Sequence, residues 1–346
     1  HIDEQGETTP PVVLDHLTSP DRAANIPEFV NTSAVAIRRI HERFIDDLSY
    51  VRAAWEFLKS NDYDGAERQA RKALELNPKN ADAIYYLGLA LFGRKQYDEA
   101  IEHMSRAAKL RPQEAEIRTQ LGVVCIAKGQ LDRAVGHLQK ALQIAPDNAE
   151  AHFNLGVALY RRGDKQQAVE NWRRSLQLKP SDYEAHYNLA LVLDEQGNAD
   201  QAIEHYRRTV ELKPDHSLAH GGLGVALCVK GVFQEGVQHL TRAVELDPGN
   251  AAIRFNLAIS LARFKQHDQA IAHLLQILQQ DPANADALLC IAVSYAETGR
   301  MDEALMRLDE ALGIAKSAGN DQLVSRIAAQ IERYRRTPAP NPGGGQ

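Results

Sequence analysis

The amino-acid sequence predicts an all-α solenoid built from eight copies of one helical hairpin. Prolines recur at intervals of 34 residues, and each interval holds two amphipathic stretches with helical spacing. The composition agrees with this fold class: of 346 residues, 44% are hydrophobic and 25% charged, as in folded globular proteins, and only 6% are aromatic. Ala and Leu dominate, and both are strong helix formers.

The 34-residue period is visible at several positions in the same register. The prolines are Pro78, Pro112, Pro146, Pro180, Pro214, Pro248 and Pro282. A Leu or Ile followed by Gly or Ala also recurs, and a second small residue follows twelve positions after the first small one, as with Gly156 and Ala168. Small residues at both positions let two helices pack closely, because a larger side chain would force them apart.

Residues 149–182 show how one period folds. Apolar residues follow helical spacing from Phe153 to Leu159, and Gly163 can then take the positive φ angle that ends a helix. A second amphipathic stretch runs from about Lys165 to Leu178, and Pro180 prevents it from continuing. Each period is therefore predicted to be a helix–turn–helix unit.

This pattern resembles the tetratricopeptide repeat family. In residues 149–182 the positions of the family pattern hold His152, Leu155, Gly156, Leu159, Ala168, Trp172, Ser175 and Pro180. In the same register, eight repeats cover 47–318, about four fifths of the chain. The resemblance implies a right-handed α-solenoid superhelix, with an inner groove lined by the first helix of each repeat.

Four segments lie outside the repeats. We expect an acidic, partly extended N-terminal arm at 1–33, a leading helix at 34–46, a capping helix at 319–336 and a Pro/Gly tail at 337–346. The arm holds one short apolar piece, whose proline-led, β-branched composition favours an extended conformation: Pro11, Val12, Val13 and Leu14. It is either a solvated tail or a docking arm.

The resemblance implies a non-catalytic scaffold that binds a peptide or helix of another protein in the groove. By register, the apolar and aromatic groove positions are Tyr85, Leu89, Phe92, Phe153, Val157, Tyr160, Tyr187, Leu191, Phe255 and Ile259. An exposed apolar stripe usually marks a binding surface, although the curvature of the array could bury part of it.

An asparagine ladder follows the aromatic groove position by one residue. Its members are Asn154, Asn188 and Asn256, and Gly222 interrupts it. Because an amide side chain offers a donor and an acceptor, it can pair with an extended peptide backbone. The glycosyltransferases that attach N-acetylglucosamine to proteins carry a similar ladder.

A second hypothesis treats the chain as a structural subunit. The two ends of a solenoid differ, so copies can stack head to tail into an open filament. The N-terminal arm would then dock on a neighbouring copy. The expected partners are accordingly a protein or peptide, or the chain itself as a homo-oligomer or filament.

Other classes of function find no support in the sequence. The net charge of -6 comes without a basic stripe, so we expect no nucleic-acid partner, and no apolar run is long enough for a membrane span. The sequence has no Gly-rich phosphate loop, nucleophile elbow or paired-carboxylate motif, so we expect neither enzymatic activity nor a cofactor. A start at His1 rather than Met slightly favours an exported protein over a cytoplasmic one.

Histidines and cysteines are interpreted as packing and surface residues. His152, His186 and His220 recur at the 34-residue period, but equivalent residues of successive repeats are separated by two helix widths and cannot converge on one metal ion. Three cysteines, Cys125, Cys228 and Cys290, lack C-x-x-C spacing. No metal site is expected.

Overall fold

The computed structural model describes residues 47–336. The predictions for the N-terminal arm with Pro11, Val12, Val13 and Leu14, for the leading helix at 34–46 and for the tail at 337–346 concern residues outside this range.

The described part of the chain is all-α, with 17 helices and no strand. They are α1 (47–59), α2 (Tyr63–Leu76), α3 (Ala81–Gly93), α4 (Tyr97–Leu110), α5 (Ala115–Lys128), α6 (Leu131–Ile144), α7 (Ala149–Arg162), α8 (Lys165–Leu178), α9 (Tyr183–Glu195), α10 (Ala199–Leu212), α11 (Ser217–Val229), α12 (Phe233–Leu246), α13 (Ala251–Arg263), α14 (His267–Gln280), α15 (Ala285–Glu297), α16 (Met301–Ser317) and α17 (Asp321–Arg336). The predicted all-α solenoid is confirmed.

The chain divides into two compact units, the first ending at Ile144 and the second beginning at Ala145. In unit 1, α3 packs on α4 and α5 on α6, and α2 and α4 each pack on the first helix of the following pair. In unit 2 the same scheme runs from the α7–α8 pair to the α15–α16 pair, and α17 packs on α16.

A side-chain cap sets the beginning of most first helices. The residue before the helix accepts a hydrogen bond from the backbone N–H three positions later, as Asn148 does from Ala151 at 3.0 Å. The same cap is formed by Asn80, Asp182, Asn250 and Asn284, and by Nδ1 of His216. Because N–H groups of a first helical turn lack partners within the helix, each cap replaces a lost hydrogen bond.

The turn inside each hairpin needs one residue with positive φ. Gly163 fills this position with φ 102°, as the sequence predicts. Lys265 occupies the equivalent position of a later repeat at φ 62°, where a side chain is strained.

The close approach of α7 and α8 takes place at Gly156. A Cβ atom there would lie 2.5 Å from Nε1 of Trp172, so the buried indole, rather than Ala168, fills the space that the glycine leaves. The indole Nε1 also donates to the main-chain carbonyl of Phe153 at 3.1 Å. Helix spacing in this repeat is therefore set by the contact between Gly156 and Trp172.

The last helix, α17, closes the core of the final repeats. Ile327, Ile331 and Tyr334 are buried against Leu308 and other residues of α15 and α16, while Leu323 is half-buried. Among the helices described, none has the length and apolar character needed to cross a membrane.

The cysteines behave as packed residues. All three thiols are free; Cys125 and Cys228 are buried and Cys290 is half-buried. Burial raises the pKa of Cys290 to about 11, so the thiol stays protonated at neutral pH.

Candidate functional site

A pocket on the first helices of unit 2 contains three of the predicted groove residues. We call it the α9 pocket, and its cavity of about 390 Å³ is lined by Phe153, Tyr183, Glu184, Tyr187, Asn188, Lys213 and His216. Phe153 comes from α7, four residues come from α9, and the last two come from the turn between α10 and α11. Adjacent repeats thus build one site.

Aromatic contacts hold the shape of the α9 pocket. The rings of Tyr187 and His216 lie 4.7 Å apart between centroids, and Tyr183 meets His216 edge-on at 6.0 Å. His216 is further fixed because its Nδ1 accepts the N–H of Ala219 at 3.1 Å. Lys213 Nζ lies 4.9 Å from the centre of the Tyr183 ring, and the lining of the pocket thus includes one basic side chain, Lys213, and one acidic side chain, Glu184.

The remaining groove residues of unit 2 are half-buried or exposed. Val157, Leu191 and Phe255 are half-buried, and Asn256 is exposed. Ile259 lines a separate cavity of about 410 Å³ together with Cys290 and other residues of α13–α15. The α9 pocket therefore does not include every residue that the register suggested.

Tyr160 is tied to the end of the neighbouring first helix. Its hydroxyl donates to Glu195 at 2.7 Å, and this hydrogen bond to a carboxylate raises the pKa of Tyr160 to about 12. Lys165 pairs with the same carboxylate at 2.8 Å. Both carboxylate oxygens of Glu195 thus have a partner within the chain.

Unit 1 has its own pocket, whose walls come from helices α1 to α5 and the turns between them. This α3 pocket has a cavity of about 520 Å³ and is lined by Trp55, Leu58, Lys59, Asn61, Tyr63, Leu89, Phe92, Gly93, Lys95, Tyr97 and Gln120. It includes the predicted groove residues Leu89 and Phe92. Tyr85 lies elsewhere: its side chain is 6% exposed and its hydroxyl donates to Glu116 at 3.2 Å. Tyr85 therefore offers little surface to a partner.

The members of the asparagine ladder differ in their hydrogen bonding. Nδ2 of Asn154 donates to the carbonyl of Glu150 at 3.0 Å, within its own helix. Asn188 lines the α9 pocket, and within residues 47–336 its amide makes no hydrogen bond. Asn188 therefore presents an amide without an intramolecular partner to the α9 pocket.

The structure explains why Gly222 interrupts the ladder. A Cβ atom at Gly222 would lie 2.6 Å from Cζ and 2.9 Å from the hydroxyl oxygen of Tyr206. Tyr206 is 2% exposed, and the tip of its phenol ring needs the space that any side chain at position 222 would occupy. The gap in the ladder accommodates this ring.

The recurring histidines form contacts that the sequence analysis missed. Nε2 of His152, His186 and His220 lies 3.0–3.2 Å from the carbonyl oxygens of Pro146, Pro180 and Pro214, respectively. A guanidinium nitrogen of Arg254 replaces the imidazole in a later repeat and donates to Pro248 at 2.7 Å. These bonds join the turn of one repeat to the first helix of the next.

Two histidine pairs lie inside single repeats. Nδ1 of His186 is 2.9 Å from Nδ1 of His205, and His220 and His239 are paired in the same way. Because a carbonyl can only accept, His186 donates through Nε2, and in the neutral pair Nδ1 of His205 is the donor. Where the first helix has no histidine, Nδ1 of the second-helix residue is buried without a partner, as at His103 and His273. Within residues 47–336 there is no cluster of three or more metal-ligating side chains.

The array of paired helices defines the chain as an α-solenoid of short repeats, and comparison with known proteins gives the family. A family model described as "Tetratricopeptide repeat" matches residues 51–115, 153–217, 187–251 and 222–285. A model described as "TPR repeat" matches 124–163, and a further "Tetratricopeptide repeat" model matches 261–331. The first model alone covers more than half of the sequence. The chain belongs to the tetratricopeptide repeat family.

The structures of PilF and of the Cut9–Hcn1 complex show the same fold. PilF of Pseudomonas aeruginosa is 19% identical over 65% of this chain and 99% of that chain, with a TM-score of 0.56. A chain of the APC/C hetero-tetramer Cut9–Hcn1 is 20% identical over 79% of this chain and 52% of that chain, with a TM-score of 0.52. MamA is 30% identical over 47% of this chain and 95% of that chain, with a TM-score of 0.44. No curated protein is a significant match.

Family membership gives the general function. Tetratricopeptide repeat arrays are generally scaffolds for protein–protein interaction, and this general function applies to the present chain.

Proposed function

We propose that the chain binds an extended peptide segment of a partner protein at the α9 pocket and along the adjoining first helices of unit 2. The observation that supports this most directly is the pocket itself, where aromatic rings of two repeats surround a cavity of about 390 Å³. Concave sites with apolar walls and a few polar groups are the usual binding sites of proteins.

The chemistry of the α9 pocket suits a peptide. Phe153 and Tyr187 are half-buried, so a bound side chain can cover their remaining surface at little cost in conformational entropy. The amide of Asn188 can donate to a peptide carbonyl and accept a peptide N–H. Lys213 and Glu184 of the lining can fix the direction of the segment.

The test removes the two central rings. The double variant Phe153→Ala, Tyr187→Ala should retain far fewer proteins from an extract of the source cells, since aromatic contacts at the centre of an interface contribute about 2 kcal/mol or more each. Bound proteins are identified by mass spectrometry, and circular dichroism monitors helix content. Helix content should not change, because Trp172 donates to the main chain of Phe153 rather than to its side chain.

Phe264→Ala is the matched control. This aromatic residue is 41% exposed, stacks on Phe233 and lies outside the α9 pocket. Proteins that bind wild type and the Phe264 variant, but not the double variant, are partners of the pocket. Equal capture by all three proteins would refute the assignment.

A second candidate function, self-assembly through the N-terminal arm, is favoured by one observation. The α3 pocket of unit 1 combines apolar walls, including Trp55 and Phe92, with Lys59 and Lys95. The arm is complementary in composition, because residues 1–30 contain six carboxylates and a single Lys or Arg, Arg22, beside the apolar piece at 11–14. We propose that the arm of one copy docks in the α3 pocket of another, a heterologous contact that would link the copies through their N-terminal units.

A further inference from the structure

The cavity of about 410 Å³ between α13, α14 and α15 has apolar walls, and we call it the α13 pocket. The walls include Ile259 and Ala262 of α13, Leu274 of α14 and Val293 of α15. Cys290 adds an uncharged thiol to the same lining, because burial raises its pKa to about 11. Two adjacent repeats thus form a cavity that suits apolar atoms.

The turn between α13 and α14 supplies three basic side chains to this lining. They are Arg263, Lys265 and His267, and the acidic member of the lining is Glu297. Within residues 47–336 none of these four side chains forms a hydrogen bond or an ion pair, and Nδ1 of His267 is buried without a partner. Two cations and an imidazole stand against one carboxylate, so the lining has an excess of positive charge.

The preceding repeat explains why the cations of this turn are unpaired. In other repeats an aspartate of the preceding second helix pairs with the cation at the end of the first helix: Arg94 with Asp64, Lys128 with Asp98, and Lys230 with Asp200. Here the equivalent positions hold Phe264 and Gln234, and Phe264 stacks on Phe233 instead. The repeat therefore lacks the carboxylate that neutralises the other turns.

The backbone of Lys265 is an independent indication of a ligand. Its φ of 62° lies in the left-handed region, which is strained for a residue with a side chain. Most other repeats have glycine at this position: Gly129, Gly163, Gly197, Gly231 and Gly299. The residues other than glycine that have positive φ within 47–336 are Asn61, Lys95 and Lys265, and each of them lines a pocket. Such strain is concentrated at functional sites.

We propose that the α13 pocket is a second binding site for a partner protein and that it takes a Glu side chain of that partner. The apolar stem of glutamate can pack on the walls while Arg263 and Lys265 donate to its carboxylate. A phosphate group, with about two negative charges, fits less well beside Glu297. This site goes beyond the proposed function, because it shares no residue with the α9 pocket.

The experiment selects short random peptides displayed on phage against the full chain. The peptides are fused to the coat protein through their C-terminus, so only side chains can supply a carboxylate. Wild type should enrich peptides that share a Glu at one position, and Lys265→Gln should abolish that preference. Lys316→Gln, on the exposed surface of α16, makes the same change in net charge and should leave the preference intact.

Affinities of amidated synthetic peptides make the test quantitative. A selected Glu peptide should bind Lys265→Gln about fivefold more weakly than wild type, the upper range for one exposed ion pair. Its Gln counterpart should bind both proteins equally.

Lys265→Gly keeps the test independent of folding. Glycine adopts the positive φ without strain, so this variant should be at least as stable as wild type in urea unfolding. It should nevertheless lose as much affinity for the Glu peptide as Lys265→Gln does.

The outcomes separate this inference from the proposed function. Glu peptides that bind the Phe153→Ala, Tyr187→Ala variant as well as wild type, but need Lys265, would support a second site. Absence of a Glu preference, or a preference that Lys265→Gln keeps, would overturn the α13 site and leave the α9 pocket untouched. A Glu preference that disappears with Phe153→Ala, Tyr187→Ala would assign the carboxylate to the peptide of the α9 pocket and overturn the separate site.

Discussion

The contact between Gly156 and Trp172 gives a stability prediction whose size follows from the structure. In Gly156→Ala the new Cβ atom would lie 2.5–2.8 Å from three atoms of the indole, too close for any real contact. Trp172 is 1% exposed and its Nε1 is held by the Phe153 carbonyl, so the ring cannot simply swing away.

The opposing contributions can be compared. Overpacking costs roughly 1–3 kcal/mol and a weakened hydrogen bond about 1 kcal/mol. Alanine is preferred over glycine inside a helix by about 1 kcal/mol. The variant should therefore be less stable by about 1–3 kcal/mol.

Gly313→Ala is the control in the same unit. Gly313 lies within α16, is exposed, and would place its Cβ more than 4 Å from any neighbouring side chain. Only the preference of alanine over glycine within a helix then affects stability, so Gly313→Ala should be more stable than wild type by up to about 1 kcal/mol. Urea unfolding followed by circular dichroism measures both changes.

A substitution of Trp172 tests whether the indole ring causes the stability loss of Gly156→Ala. Trp172→Leu should reduce the penalty of Gly156→Ala, because the chain already packs Leu274 beside Ala258 at the equivalent positions of a later repeat. The double variant should lose less stability than the two single variants together. If Gly156→Ala instead raises the unfolding midpoint as Gly313→Ala does, the indole contact does not set the helix spacing.

Two further predictions concern the histidine pairs and the N-terminal arm. Burial lowers the pKa of His186 and His205 below the ordinary 6.5, so the unfolded chain takes up protons first and stability falls as the pH drops below 6.5. The variant His205→Asn copies the repeat in which Asn171 faces His152. Its thermal unfolding temperature should fall less than that of wild type between neutral and mildly acidic pH. An equal fall in both proteins would show that the His186–His205 pair does not cause the acid sensitivity. Deleting residues 1–33 should convert an oligomer into a monomer by light scattering, and a monomer before and after deletion would rule out assembly through the arm.

The local structure could be read from the sequence because it depends on local rules. A glycine and a proline in the sequence predict a helix from about Lys165 to Leu178, and α8 begins and ends at these two residues. Gly163 takes the positive φ that its place in the turn requires. Such features follow from neighbouring residues, and the 34-residue period then repeats them.

The candidate site was less accessible to sequence reasoning, since it depends on contacts between elements. Register identified Phe153, Tyr187 and Asn188, but Lys213 and His216 come from an inter-repeat turn that the groove pattern does not include. The pairing of His186 with His205 joins residues 19 positions apart, and a search at the 34-residue period misses it. Nothing in the pattern shows that a ring from Tyr206 fills the space at Gly222.

The hydrogen bonds between the histidines and the proline carbonyls make the array modular. His152, His186 and His220 each reach back six positions to the preceding proline, with the same geometry. Removing residues 149–182 as one period would bring His186 to Pro146 at the same spacing, and no carbonyl would lose its donor. A deletion one residue longer or shorter would leave the carbonyl unpaired. The hydrogen bond is therefore compatible with the removal of a whole repeat and incompatible with the removal of part of one.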